Sequence, residues 1–99
     1  MEEILNNLEK ALNDEDGLFL RMRLGKNIDE EKVESALKII KQIGLSIKNE
    51  KLINKRIPYL LIDIVPSMLG CVELYNSEDQ KKLTYFISLI NDEIVECFN

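Results

Sequence analysis

Hydrophobic residues recur at helical spacing through most of this chain. Near its start they occupy positions i, i+3, i+4 and i+7, which predicts an amphipathic helix over residues 2–13. These apolar positions are Ile4, Leu5, Leu8, Ala11 and Leu12. Gly17 follows an acidic run and is expected to end this helix, because glycine readily adopts the left-handed conformation at a helix C-terminus.

Residues 18–24 fit either a strand or a helix. Their side chains alternate as in a strand, in the order Leu-Phe-Leu-Arg-Met-Arg-Leu. No other segment offers a partner strand, and a lone strand would leave its backbone hydrogen-bonding groups unpaired. We therefore favour a short helix, with Asp14 or Asp16 as its N-cap.

Three longer helices are predicted in the rest of the chain, over residues 30–49, 58–75 and 77–97. Asp29 is the expected N-cap of the first, since two glutamates follow it in the first turn. Ser77 is the expected N-cap of the last, in a capping box with a glutamine at the N3 position.

Pro66 lies in the middle of the helix predicted over residues 58–75, and it predicts either a kink or a split into two shorter helices. Taken together, the pattern predicts an all-α single domain over residues 1–99. It would be a bundle of four main helices with one short element at residues 18–24. Its core is expected to centre on Leu8, Leu37, Ile40, Ile64, Met68, Phe86 and Ile90.

Charge is distributed unevenly along the chain. Residues 1–16 carry six acids and one lysine, residues 17–56 carry ten bases and five acids, and residues 57–99 carry two bases and seven acids. The resulting net charge of −5 argues against direct binding to nucleic acid, whose phosphates require cationic neutralisation, and against an anionic membrane surface. A basic protein partner is compatible with this charge, although the charge would also serve solubility alone.

Other features indicate a cytoplasmic protein. The N-terminus lacks the basic and apolar regions of a secretory signal. The apolar stretch over residues 57–72 is interrupted by Asp63 and Pro66, so we do not expect it to span a membrane. Cys71 and Cys97 are too few for a disulfide framework and are expected to be reduced thiols.

The side chains that most often carry catalysis are scarce. The chain has no histidine and no glycine-rich phosphate loop, and neither cysteine lies in an activating motif. The acidic run at residues 14–16 lacks the ligand spacing of a calcium loop. We therefore expect a protein that is not an enzyme and that has no cofactor and no metal site.

Two acidic features are candidate partner-binding sites. One is the acidic cluster Asp14-Glu15-Asp16, which would equally suit a solvated turn. The other is the polar side of the helix predicted over residues 58–75, where a tyrosine anchor and carboxylates could receive a lysine or arginine. The candidate partner-binding residues are Asp14, Glu15, Asp16, Tyr59, Asp63, Glu73 and Tyr75.

Each candidate has an alternative within the fold. The polar side of the helix would also suit an ordinary exposed helix face, or Asp63 could pair with Arg21 or Arg23. The basic connector, residues 48–56, could bind an anion, but pairing with the chain's own acidic ends is the simpler interpretation.

The sequence Asp-Gly-Leu-Phe-Leu-Arg-Met-Arg-Leu at residues 16–24, with residues 29–31 and the segment 58–75, resembles small immunity proteins of bacterial polymorphic and contact-dependent toxin systems. The resemblance is one of overall character across most of the chain. It implies a non-catalytic protein that binds a cognate toxin domain, often a basic nuclease, and blocks its active site.

Two alternatives remain within the binding class. One is a small helical adaptor or regulatory protein, which could be a homodimer through the broad apolar faces of residues 33–47 and 83–94. The other is an inhibitor of phage-defence machinery.

Overall fold

A computed structural model describes all 99 residues and contains helices without any strand. The all-α single domain predicted from the sequence is confirmed, and residues 18–23 form the short helix that was favoured for this segment. The elements are α1 (Glu2–Asn13), α2 (Leu18–Arg23), α3 (Glu30–Ile47), α4 (Arg56–Ile62), α5 (Ile64–Leu69), a 3₁₀ turn (Val72–Leu74) and α6 (Ser77–Cys97).

The turn between α1 and α2 differs from the prediction. Gly17 is the N-cap of α2, with φ −75°, and neither Asp14 nor Asp16 caps this helix through its side chain. α1 has already ended at Asn13, so Gly17 does not serve as a left-handed C-terminal residue. A glycine is required there for a steric reason instead, because a Cβ would lie only 2.8 Å from the backbone nitrogen of Asp14.

The predicted split of the segment around Pro66 is confirmed, but the break lies at Asp63, between α4 and α5. Proline has no amide hydrogen to donate to the carbonyl of Ile62, four residues earlier, and its ring crowds that carbonyl. The helix is therefore interrupted before the proline. Pro66 itself lies in the first turn of α5, where the missing donor leaves no bond unmade.

The N-caps are partly as predicted. Asp29 accepts hydrogen bonds from the amides of Glu31 (3.0 Å) and Lys32 (3.4 Å), as expected for the N-cap of α3. For α6 the prediction of Ser77 is wrong by one residue, because the side chain of Asn76 accepts from the Asp79 amide at 2.9 Å.

Three long helices form the body of the bundle. The end of α1 lies beside the start of α3, where Lys32 and Asp16 are 3.2 Å apart, so these two helices are antiparallel. α6 runs alongside α3 in the same direction, since Lys82 pairs with Glu30 and the Cys97 thiol donates to the Ile40 carbonyl near the other end.

The core lies between these helices and the inner sides of α2, α4 and α5. A Cβ on Gly44 would lie 3.1 Å from the Cys97 sulfur, so α3 and α6 are closely packed at this glycine. Leu37 is half-buried and packs on the edge of the core, so its placement at the centre is wrong. The other six residues predicted for the centre are buried: Leu8, Ile40, Ile64, Met68, Phe86 and Ile90.

Candidate functional site

The outer side of α4 and α5 carries apolar residues that nothing in the chain covers. Tyr59 is 76% exposed, Ile62 is 74% exposed, and Leu69 is also exposed. By length and composition alone, Arg56–Leu74 could cross a membrane. Its most apolar 18 residues have a mean hydropathy of 1.6, and 28% of that stretch is buried in the fold. Its inner side nevertheless belongs to the core, so the segment presents an apolar surface on a folded domain.

Beside this surface lies a groove, which we call the α1–α4 groove. It has a volume of about 440 Å³ and is bounded by the end of α1, the start of α2 and the outer side of α4. Its residues are Glu9, Leu12, Asn13, Phe19, Tyr59, Leu60, Ile62 and Asp63. The buried side chains of Leu12 and Phe19 form its floor, while Tyr59 and Ile62 form an exposed wall.

The two carboxylates at the groove differ in their surroundings. Glu9 is held by Arg56 at 2.6 Å, and Arg56 also binds Glu2 at 2.6 Å. The hydrogen bond to Glu9 is the main cause of the raised pKa of Arg56. For Arg56, the predicted pairing of the basic connector with the acidic N-terminal region is therefore confirmed.

Asp63 has no basic side chain within 4 Å, and its carboxylate accepts one side-chain hydrogen bond, from the Ser67 hydroxyl at 3.2 Å. The alternative in which Asp63 pairs with Arg21 or Arg23 is wrong, because Arg21 pairs with Asp16 instead. Asp63 is therefore an exposed carboxylate beside an apolar groove, with most of its hydrogen-bonding capacity unused.

The acidic cluster, Asp14-Glu15-Asp16, divides into two parts. Asp16 lies 3.1 Å from Arg21 and 3.2 Å from Lys32, and these contacts, with the Lys32 hydrogen bond first, lower its pKa. Asp14 and Glu15 are exposed and have no ion-pair partner. Asn13, which immediately precedes them, lines the α1–α4 groove, but Asp14 and Glu15 do not.

Asp14, Glu15 and Asp16 all border an open cleft of about 740 Å³ between the α1–α2 turn and the start of α3. Five acidic and two basic side chains line this cleft, so its net charge is negative. Nowhere does the structure assemble three or more acidic or cysteine side chains in a way that could hold a metal ion.

The remaining two candidates lie apart from the groove. Tyr75 is 7% exposed and packs in the core, where its hydroxyl donates to the carbonyl of Lys26 at 2.7 Å. Burial raises the pKa of Tyr75. The prediction of Tyr75 as a surface anchor is therefore wrong. Glu73 is exposed on the 3₁₀ turn and does not line the groove.

Ile62 is the residue of this site that the sequence analysis missed. Its segment contains many apolar residues, and most of them suit the core. The signal was nevertheless present, because Tyr59, Ile62, Asp63 and Pro66 have the spacing i, i+3, i+4 and i+7 of a single helix face. An apolar residue on the same face as Asp63 indicates an exposed apolar position.

The chain matches no protein-family model, no curated protein and no solved structure. Its function therefore has to be inferred from the α1–α4 groove and its surroundings. Chemically, the groove offers an apolar floor, an aromatic wall and one unpaired carboxylate. This combination suits the binding of an apolar group next to a cationic one.

Proposed function

We propose that this protein is a non-catalytic binding protein that neutralises a basic toxin domain, as an immunity protein does. The observation that carries the proposal is the pair of exposed side chains Tyr59 and Ile62 beside an apolar groove and the unpaired Asp63. Contiguous exposed apolar side chains with a polar border are typical of protein–protein interfaces.

Tyr59 is suited to be the anchor of such an interface. Tyrosine is enriched among the residues that dominate binding energy, because it provides a large contact area with few rotatable bonds. Its neighbour Ile62 would add apolar area that is covered only when a partner is bound. Truncating a residue of this kind commonly costs about 2 kcal/mol or more of binding energy.

The exposed acids support a basic partner. Asp14, Glu15 and Asp63 have no ion-pair partner within the chain. Exposed charges of this kind mainly accelerate association with a partner of opposite sign, and salt weakens this effect. The acids would therefore speed the capture of a basic toxin, while the apolar groove would determine how long the complex lasts.

Catalysis has less support than binding at this site. The titratable groups of the groove are Glu9, Tyr59 and Asp63, and Glu9 is engaged by Arg56. A general base must lie within hydrogen-bond reach of the proton that it removes, and a nucleophile needs an activating base. We also propose that the protein acts in the cytoplasm, which fits its two free and buried cysteines.

A helical adaptor or regulatory protein is the second candidate. The apolar faces of residues 33–47 and 83–94, through which the sequence suggests a homodimer, supply the buried side chains by which α3 and α6 pack within one chain. A homodimer would therefore need another surface, such as the exposed apolar outer side of α4 and α5. A large toxin gene directly upstream would favour immunity, whereas an operon of metabolic or regulatory genes would favour the adaptor.

Co-expression with the product of a neighbouring toxin gene tests the proposal. We expect the wild-type protein to restore growth and to co-purify with the toxin. The double variant Tyr59→Ala with Ile62→Ser should lose both effects. The matched control is Leu45→Ser, since Leu45 is 66% exposed on α3 and does not line the groove. A toxin that is neutralised equally well by the double variant would contradict the proposed surface.

The role of the acids has its own test. Reversing both free charges, Asp14→Lys with Glu15→Lys, should slow association with the toxin at low salt and leave dissociation nearly unchanged. Asp16 is left out because its ion pairs support the fold. An unchanged association rate with unchanged salt dependence would show that the acidic cluster is only a solvated turn.

A further inference from the structure

We infer that the α1–α4 groove receives an apolar side chain from a partner segment that carries a lysine or arginine about one helical turn away, which binds Asp63. This inference rests on the proposed function, in that it assumes a protein partner on this face. It adds the chemistry of the partner's contacting segment, which the proposed function leaves open.

The shape of the groove supports an apolar side chain as the occupant. Leu12 and Phe19 are buried below it, and the exposed side chains of Tyr59 and Ile62 form its wall. A volume of about 440 Å³ lies at the small end of the range for ligand pockets. It therefore suits one large side chain better than a whole cofactor.

The charges support a cationic neighbour for that side chain. Glu9 is already paired with Arg56 and adds little net attraction, and Asn13 is neutral. Asp63 accepts one bond from Ser67 and can accept more, including a bidentate pair from an arginine. Because Asp63 is next to Ile62 in the chain, the cation must lie close to the apolar side chain on the partner.

A second copy of this chain is a rival occupant with some support. Leu52 is 88% exposed in the basic connector, and Lys51 and Lys55 lie beside it in the sequence. Such a contact would join two different surfaces of the protein, so each end of the dimer would keep one unused surface. Further copies would then add to form a filament, unless the assembly closed into a ring. A basic segment of another protein forms a closed pair without this consequence, and we favour it.

An anionic membrane is a weaker rival. Membranes that carry acidic lipids attract lysine and arginine, whereas the border of this groove is acidic. Exposed carboxylates next to the apolar surface would be repelled from such a bilayer. Vesicles are therefore included in the test as a separate arm.

Tryptophan fluorescence of a bound peptide tests the inference. Because the protein has no tryptophan, all tryptophan emission comes from the peptide and reports the burial of that side chain. The probe is an amphipathic helical peptide of about 15 residues, with one tryptophan on its apolar face and lysines one turn away. We expect a saturable blue shift that salt weakens. A peptide with glutamates in place of the lysines should bind about tenfold more weakly, which corresponds to about 1.4 kcal/mol.

Single variants locate the binding. Ile62→Ser and Asp63→Asn should each lower the affinity for the lysine peptide about tenfold. The matched controls Leu45→Ser and Asp92→Asn change an exposed apolar residue and an exposed acid outside the groove, and they should leave binding unchanged. Equal binding of both peptides, or equal weakening by the controls, would overturn the inference.

Two further arms separate the rivals. Sedimentation that shows a mass growing with protein concentration, and a loss of that growth in Leu52→Ser, would replace the basic partner with a second copy. Co-sedimentation of the protein with phosphatidylserine vesicles, lost in Ile62→Ser, would replace it with a membrane.

The inference and the proposed function fail in different ways. If toxin neutralisation survives in Ile62→Ser and Asp63→Asn, the groove inference falls and the neutralising function stands. If no toxin is neutralised while the lysine peptide still binds at the groove, the neutralising function falls and the groove chemistry stands.

Discussion

Gly17 closes the turn between α1 and α2, and replacing it with alanine tests how tightly that turn is packed. A Cβ at this position would lie 2.8 Å from the Leu12 carbonyl oxygen and 2.9 Å from that of Asp14. These neighbours belong to the backbone, so no side-chain rotation can relieve the contact. Its φ of −75° is one that alanine adopts without strain, so the cost of the substitution in the folded chain comes from steric crowding alone.

The expected change in the free energy of unfolding is the difference between two opposing effects. Overpacking of this kind costs about 1–3 kcal/mol, whereas the reduced freedom of the unfolded chain contributes about 0.4–1 kcal/mol in the other direction. We expect Gly17→Ala to lower the free energy of unfolding by about 1–2 kcal/mol. For a domain of this size, that lowers Tm by roughly 4–16 °C.

Urea unfolding followed by circular dichroism at neutral pH measures this change, with Gly70→Ala as the matched control. A Cβ on Gly70 would meet nothing nearer than 3.6 Å, and its φ is −65°, so this variant should gain about 0.4–1 kcal/mol. A Gly17→Ala variant as stable as the wild type would refute the reasoning. Equal destabilisation of both variants would refute it too, because the loss would then not depend on the close turn.

Three further predictions concern the core, the ion pairs and the thiols. Met68→Ala should lower the free energy of unfolding by about 2–5 kcal/mol through a core cavity, while Leu52→Ser should change it by less than about 0.5 kcal/mol; equal urea midpoints would contradict this. Asp16 has a lowered pKa in the fold, so its stabilising contribution is present above its ordinary pKa of 3.8 and is lost as the pH falls further. Asp16→Asn should therefore lower the free energy of unfolding at neutral pH. In acid, the variant and the wild type should become more nearly equal in stability, as urea midpoints from neutral pH to below 3.8 will show. Burial raises the pKa of Cys97, and both cysteines are buried, so thiol reagents at mildly alkaline pH should react slowly until denaturant is added; fast labelling of the native protein would contradict the packing at Gly44.

The helices could be predicted from the sequence because their apolar positions repeat at a period that few other structures share. Asp29 could be recognised as an N-cap because an aspartate before two glutamates satisfies both the end amides and the helix dipole. Boundaries were less certain, as Ser77 illustrates. Asn76 caps equally well one position earlier, and the sequence contains no signal that separates the two.

The site could be predicted only in part. Tyr59 and Asp63 were found because a polar stripe interrupts an apolar segment. Tyr75 was misplaced because the chain leaves the α-helical period after α5, and the 3₁₀ turn rotates this side chain into the core. The floor of the groove joins Leu12 and Phe19 to α4, and contacts between elements so distant in the chain leave no trace in the periodicity of either one.

The break at Asp63 also determines how long the binding surface can persist. It leaves α4 with seven residues and α5 with six, lengths at which an isolated helix does not form in water. The wall of the groove is therefore folded only while it packs on the core, and it is lost when the core beneath α4 and α5 unfolds. Since a partner on this face binds the folded chain alone, its presence would raise the apparent stability by mass action. Abundance in the cell would then follow the partner, with unoccupied copies degraded first.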